Sequence, residues 1–547
     1  MGAERVIEGH IVDVVNRRTF DGKLVLKGEK IERIVEIPLS EADLPFIIPG
    51  FIDSHIHIES SMLRPVEFAR QVVKYGTIAA VCDCHEITNV MGKDGLEFML
   101  EDGKRSDLYF FNGVPSCVPA TEFETSGFCL DDLQVGELLK RKDITHLSEM
   151  MNYPGVLGKD TQVLNKISHA LKNSKPVDGH APLLTGKDLA EYAAHGISSD
   201  HECASIDEAE EKIRLGMKIQ IREGSAAKNF DALIPLIDKY PDALMFCSDD
   251  KHPDDILEGH INLLVKRASA LGYNVIDVLR LASMNPILHY KLPCGLLQVG
   301  DNADFLLVDD LENFNILATY IKGKEVFSER SSEEVKFEKL KCRYNNFGAE
   351  KITEQDIKVK PLTQNLNVID CFDKQLFTDL VKAKAFVKNG YVCSDTEQDV
   401  LKIVVLNRYF PSKPVVAFVR GFGLKKGALA GSIAHDSHNI ICVGVEDLDI
   451  IHAVNLIVEH KGGISFACGE DRKILPLSVA GLMSDDTCEN VAFAYKSLNE
   501  AAKSCSCKLT SPFMTLSFMA LLVIPKLKIS DKGLFDSSSF SFKSLFC

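Results

Sequence analysis

The stretch that most constrains this chain is Pro49-Gly50-Phe51-Ile52-Asp53-Ser54-His55-Ile56-His57-Ile58-Glu59. A Pro-Gly turn leads into an apolar run with the composition of a buried strand, and the run ends in two histidines one residue apart. Side chains alternate across a strand, so His55 and His57 face the same way, about 6.5–7 Å apart along the chain, and can reach one metal ion. An ordinary strand with two polar residues on its wet face has the same spelling. The pair therefore gains meaning only from the rest of the chain.

Residues 49–290 repeat a strand–loop–helix rhythm. Strands are predicted at Phe51–Ile58, Thr77–Cys82, Leu108–Asn112, Thr145–Met150, Pro176–Asp178, Ile197–Asp200, Lys218–Ile221 and Leu244–Ser248. Helical patterns lie between most of them, as at Pro65–Tyr75, Asp160–Asn173, Gly186–Ala194, Ser205–Leu215 and Phe230–Tyr240. Eight such units fit a (β/α)8 TIM-like barrel, with a doubly wound open sheet as the alternative. Seven of the eight strands run into ionisable residues: His55/His57, Asp83-Cys84-His85-Glu86, Glu149, Asp178-Gly179-His180, Asp200-His201-Glu202, Arg222-Glu223-Gly224-Ser225 and Asp249-Asp250-Lys251-His252. In a barrel these C-terminal ends form one ring, where active sites sit.

Residues 1–48 and 291–345 have β character and are expected to combine into one small β-sandwich beside the barrel. A third unit of α/β or α+β type spans 351–547, and its Ser/Phe-rich end, Phe535–Cys547, is expected to be loosely held. A chain of 547 residues is too long for a single core. The balance of 62 basic and 78 acidic residues gives 62 − 78 = −16, with no basic stripe, which argues against a nucleic-acid partner. No apolar run approaches the roughly 18 residues that a membrane helix needs. The start MGAERVIEGH has no apolar leader, so a cytoplasmic protein is expected. The 16 cysteines are then reduced thiols packed as small hydrophobes; neither Cys82-x-Cys84 nor Cys505-x-Cys507 has a partner pair at zinc-site spacing.

The ring carries the donors for two divalent metals. His55 and His57 suit one metal, His180 and His201 the other, and Glu149 can bridge both. Asp249 can bind the first metal and face a bridging water. Imidazole and carboxylate ligands favour Zn, Mn or Fe over Ca. A water shared by two cations loses a proton near neutral pH, and Asp249 is placed to take it. Singly, Glu149 reads as a solvated loop residue, Asp249 as an N-cap, and His180 or His201 as core histidines. Together they read as one site. His85 stands open between metal ligand and proton shuttle.

The Pro-Gly-Phe-Ile-Asp-x-His-x-His start, the strand-end histidines and the final Asp resemble the amidohydrolase superfamily. Within it, the chain is similar to the bacterial-type adenine deaminase family. The similarity runs through His55-Ile-His-Ile-Glu-Ser-Ser61, His85-Glu-Ile-Thr-Asn-Val90, Pro115-Ser-Cys-Val-Pro-Ala120, Ser148-Glu-Met-Met-Asn152, Val177-Asp-Gly-His-Ala181, Ser199-Asp-His-Glu202, Ile221-Arg-Glu-Gly-Ser225 and Asp249-Asp-Lys-His-Pro-Asp-Asp255. It continues into Gly421–Gly427, His435-Asp-Ser-His438, Leu477–Ser484 and Ser511–Phe518, and so covers nearly the whole chain. The resemblance implies hydrolysis of adenine to hypoxanthine and ammonia by a metal-activated hydroxide, in purine salvage. It implies two divalent ions, usually Mn2+, with Fe2+ or Zn2+ as alternatives, on His55, His57, Glu149, His180, His201 and Asp249. Glu149 would stand in place of the carboxylated Lys of many relatives.

From the chemistry, Asp249 takes the proton of the attacking water and delivers it to the amine, while Glu86, His85 or Asp83 serves N1 of the ring. Arg222 and Ser225 are candidates to bond the purine edge, and Arg222 is equally suited to pair with a carboxylate. Departures are Cys84, where Pro is expected, and the thiols of Cys117 and Cys247 near the ring. The expected partner is a small-molecule substrate, and a homodimer is the default assembly. The competing enzyme is an amidohydrolase acting on another purine or on a cyclic amide or amidine. A non-catalytic scaffold would have lost metal ligands, and all six are present.

Overall fold

In the computed structural model, residues 4–38, 44–330 and 345–547 are described. The remaining parts of the two expected flanking segments, at 1–3, 39–43 and 331–344, lie outside the described residues. The first segment forms β1 (Arg5–Asp13), β2 (Arg18–Lys27), β3 (Lys30–Glu36) and β4 (Phe46–Pro49). Eight short strands follow: β5 (Phe51–Ile56), β6 (Thr77–Cys82), β7 (Tyr109–Asn112), β8 (Leu147–Met150), β9 (Val177–Gly179), β10 (Ser199–Asp200), β11 (Lys218–Arg222) and β12 (Leu244–Cys247).

These eight strands are parallel and nearly all their residues are buried, which explains their continuous apolar spelling. Ladders join β5–β6–β7, β8–β9 and β10–β11–β12. Single parallel bridges join the ladders, at Val114 with Leu147 and at Val177 with Ile197. A third bridge, Ile56 with Asp249, connects the last strand back to the first, so the strands close into a ring. The connecting helices start where the sequence supplies caps. Asp160 accepts from Gln162 N and Val163 N ahead of Thr161–Lys172, and Ser205 accepts from Glu208 N ahead of Ile206–Arg214. The helix expected over Phe230–Tyr240 is instead a short helix, Phe230–Leu233, continued by a 3-10 turn over Ile234–Asp238. Pro235 has no N–H to donate and interrupts the α pattern there.

Beyond the ring come β13 (Phe305–Val308), β14 (Ile316–Ile321) and β15 (Lys324–Ser328). They join the first four strands in one seven-stranded sheet, ordered β15-β14-β13-β4-β1-β2-β3. The two flanks thus meet in this one hydrogen-bonded sheet. Ile31 N donates to Asp301 O at 3.0 Å and Ala303 N to Glu29 O at 2.8 Å, so the far edge curls back toward β13. Ile11, Leu24, Ile47, Phe305 and Tyr320 share the core that this curl encloses.

The C-terminal region contains β16 (Asn365–Cys371), β17 (Thr378–Lys384), the ribbon β18 (Phe386–Lys388) with β19 (Tyr391–Cys393), β20 (Val400–Leu406), β21 (Val415–Arg420), β22 (Ala428–Gly431), β23 (Ile440–Gly444), β24 (Gly463–Cys468) and β25 (Asp471–Pro476). Its main sheet is ordered β17-β16-β21-β20-β23-β22-β24-β25. The helix Asp447–His460 packs on β22–β24. The helix Cys488–Ser504 leans toward the ring, where Tyr495 Oη sits 2.6 Å from His252 Nδ1. The chain ends in β26 (Leu527–Ser530), β27 (Gly533–Asp536) and β28 (Ser541–Lys543). This end is not loose. Asn367 N donates to Leu545 O at 2.9 Å, and Phe535, Phe540 and Phe542 surround the ring of Phe123. Phenylalanines that read as low-complexity filler are the anchors of the terminus.

Candidate active site

The strand ring aims its polar residues into one buried cluster. His55 and His57 are 1% and 3% exposed, and Glu149, His201 and Asp249 are similarly sealed. His57 Nδ1 lies 3.1 Å from the carbonyl of Asp83, which can only accept, so that nitrogen carries the proton. Its Nε2 then presents a lone pair to Asp249 Oδ1 at 3.2 Å and Glu149 Oε1 at 3.4 Å. His55 Nε2 is 3.2 Å from the same Nε2. Glu149 turns its other oxygen, Oε2, to His180 Nδ1 at 2.7 Å and His201 Nε2 at 3.2 Å. One carboxylate thus faces a different histidine set with each oxygen. Buried acceptors facing one another are costly unless cations or protons lie between them. The donor set therefore fits divalent metal: His55, His57 and Asp249 form one group of close ligand atoms, His55, Glu149 and His201 another, and His180, His201 and Glu202 a third.

Asp249 is held in place from its backbone outward. It has φ 55, a left-handed conformation that Asp tolerates, and its N donates to His55 O at 2.9 Å. Its Oδ2 accepts from Arg222 Nη1 at 2.6 Å. Arg222 also grips Glu202 through both terminal nitrogens, Nη2 to Oε2 at 2.9 Å. Burial raises the carboxyl of Asp249, but Arg222 and His57 outweigh it and hold the group well below the usual carboxylate range. Glu149 follows the same pattern, with His180 and His201 overcoming burial. Both therefore remain anionic at neutral pH.

A profile of the amidohydrolase family matches residues 46–326, just over half of the chain. The chain belongs to the amidohydrolase family. A second profile, the adenine deaminase C-terminal domain, matches residues 375–541. A protein named adenine deaminase from Salinibacter ruber is 49% identical over 550 residues, covering all of both chains. One of the same name from Parabacteroides distasonis is 48% identical over 541 residues, or 99% of this chain and 98% of its own. Another from Methanosarcina mazei is 48% identical over 551 residues, with 98% of this chain and 99% of its own covered. Within the amidohydrolases, then, the chain belongs to the adenine deaminase family, which it matches over nearly its whole length.

In this amidohydrolase, the cavity over the cluster is lined by His57, His85, Glu86, Glu149, Arg222 and Asp249 from the ring side. The C-terminal domain supplies Leu376, His435, Asp436, Phe518, Leu521 and Val523. Its volume is about 30 Å3. Beyond Met151 and Val523 a second cavity of about 450 Å3 opens past Asn152, Tyr153 and Phe540.

The residues singled out from the sequence divide in two. His55, His57, Glu149, His180, His201 and Asp249 converge. His85 stands beside them, Nδ1 3.5 Å from Glu149 Oε1 and Nε2 3.4 Å from Glu86 Oε1. Asp83 lies behind, where its Oδ1 accepts from His85 N at 3.1 Å. Arg222 places its two terminal nitrogens on Glu202 and Asp249. Ser225 does not line the cavity; its Oγ donates to Asp255 and accepts from His252 N at 2.8 Å, bracing the loop. Burial pushes the thiols of Cys84, Cys117 and Cys247 up, above the usual thiol range. Sequence reasoning passed over Glu202, 3.4 Å from His201 Nε2, although it stood at a strand end. It also left the His435-Asp-Ser-His438 motif without a role.

Proposed function

We propose that this chain hydrolyses adenine to hypoxanthine and ammonia, as part of purine salvage. What carries the reading is the 48% to 49% identity to proteins named adenine deaminase over essentially the whole length. The strand ring is read as a (β/α)8 barrel and the curled sheet beside it as the small sandwich-like domain of the flanks. Mn2+ is the assigned metal, with Fe2+ and Zn2+ able to use the same donors. When bound, two divalent ions supply Lewis acidity and a water acidic enough to react near neutral pH. The protein is read as a cytoplasmic homodimer. Its described cysteines are all free, and no helix among the described residues is long and apolar enough to cross a membrane.

The residues divide the proton work. Asp249 keeps Oδ2 on Arg222 and turns Oδ1 toward the centre, where it accepts the proton of the attacking water. As C6 becomes tetrahedral, N1 gains a proton from the Glu86–His85 side of the cavity. Asp249 then passes its proton to the amine, C6–N cleavage releases ammonia, and the proton left on the C6 hydroxyl returns to the Glu86–His85 side as the carbonyl of hypoxanthine forms. The buried walls keep bulk water out of this exchange.

The test is ultraviolet absorbance of adenine with protein loaded in turn with Mn2+, Zn2+ and Fe2+, with Glu149→Gln as control. Metal-dependent conversion that vanishes in the variant is expected. Bound metal with adenine untouched would overturn the substrate assignment in favour of another purine or cyclic amide.

A further inference from the structure

Glu86 opens the helix His85–Met91 after β6 and is 1% exposed. Its two oxygens are approached by two histidines of the loop between β22 and β23. His435 Nδ1 lies 2.8 Å from Oε1, and His438 Nε2 is in contact with Oε2. Both histidines are nearly fully buried, at 5% and 2% exposure. The loop is itself pinned. Arg408, fully buried, donates to Ala480 O at 2.8 Å and to His438 O and Ser432 O at 3.4 Å each, while Tyr409 Oη donates to Ser437 O. Nothing in residues 49–290 offers Glu86 a comparable cationic or donor partner. Glu59, Asp250 and Asp436 crowd its charge, and its ring-side neighbour His85 stays 3.4 Å away.

A carboxylate in such company has two ways to lower its energy. It can turn toward the metal-ligand cluster a few ångströms off, or it can be held by donors from elsewhere. The geometry points to the second: we propose that His435 and His438 are positioning residues that clamp Glu86 at the cavity wall, so that the C-terminal domain completes the catalytic apparatus of the ring. The inference rests on the reading of Glu86 as a group facing the purine ring. It assigns the histidines no contact with substrate. It gives the C-terminal domain a chemical task as well as a covering one.

The atoms used make the test specific. Asparagine Nδ2 occupies the place of a histidine Nδ1, and glutamine Nε2 that of a histidine Nε2. His435→Ala and His438→Ala are each expected to lower kcat about 100-fold, the scale of a misplaced acid–base group, with KM changed less than about threefold. Metal bound per chain, measured by elemental analysis, is expected to stay at the wild-type level. His435→Asn and His438→Gln are expected to recover most of the loss. In a Glu86→Gln background, adding His435→Ala is expected to cost less than about twofold, because residues acting through one group are not additive. The same cycle run on Tm reads the clamp without any turnover. It separates failure of this inference from failure of the adenine assignment, which would appear as a wild-type protein inert toward adenine while the Tm coupling persists. Alanine variants with wild-type kcat, amide variants no better than alanine, or effects that multiply with Glu86→Gln and show no Tm coupling would overturn the clamp.

Discussion

The cavity has a floor and a roof of opposite character. The floor is the strand ring, where imidazoles and carboxylates stand at consecutive strand ends, each fixed by the backbone of a parallel ladder. The roof belongs to the C-terminal domain and combines an apolar cluster of Leu376, Met514, Phe518, Leu521 and Ile524 with the histidine loop at 435–438. The floor gathers charge that needs cations or protons to be stable. The roof supplies exclusion of water and one polar clamp. The difference teaches that the candidate metal ligands sit on the strand ring, while the apolar enclosure sits largely on the C-terminal domain.

The largest effect should come from breaking the floor. Glu149→Gln removes the one group facing both histidine sets. It is expected to lower metal content and to cut kcat/KM by at least about 10³-fold. A chelator should do the same reversibly, and elemental analysis with calorimetry checks both. Breaking the roof should look different. Leu521→Ala leaves a cavity in a buried cluster and is expected to cost about 3 kcal/mol of stability. It should raise KM more than it lowers kcat and leave bound metal at wild-type level. Equal metal loss in the two variants would erase the distinction between the regions.

A smaller, sharper test uses the beam under the roof. Lys528 is fully buried and donates to Leu376 O at 2.7 Å and Phe518 O at 3.0 Å. Burial pushes its amine down to about 7 from 10.5. Between those values the unfolded chain binds a proton that the folded chain does not, so stability rises with pH. Tm is therefore expected to climb from pH 7 toward 10 more steeply in the wild type than in Lys528→Met. Parallel Tm–pH curves would remove Lys528 from the roof's pH response.

The floor was readable from sequence because it obeys a period. His55 and His57 share a strand face, and Glu149, His180, His201 and Asp249 each follow an apolar run. The rule also covered Glu202, but an acid beside a histidine looks like a solvated neighbour until Arg222 is seen gripping it. The roof obeys no such period. His435 and His438 lie some 350 positions from Glu86, a separation only tertiary packing can close. β17, with its alternating lysines on an exposed edge, lacked the apolar signal of a strand. The terminal phenylalanines were misread for a related reason, since composition does not reveal that Phe123 waits to receive them.

The cavity under the roof, about 30 Å3, is bordered by Leu376, Phe518, Leu521 and Val523 of the C-terminal domain. The segment 521–525 lies between this cavity and the larger one, since Val523, with Met151, borders both.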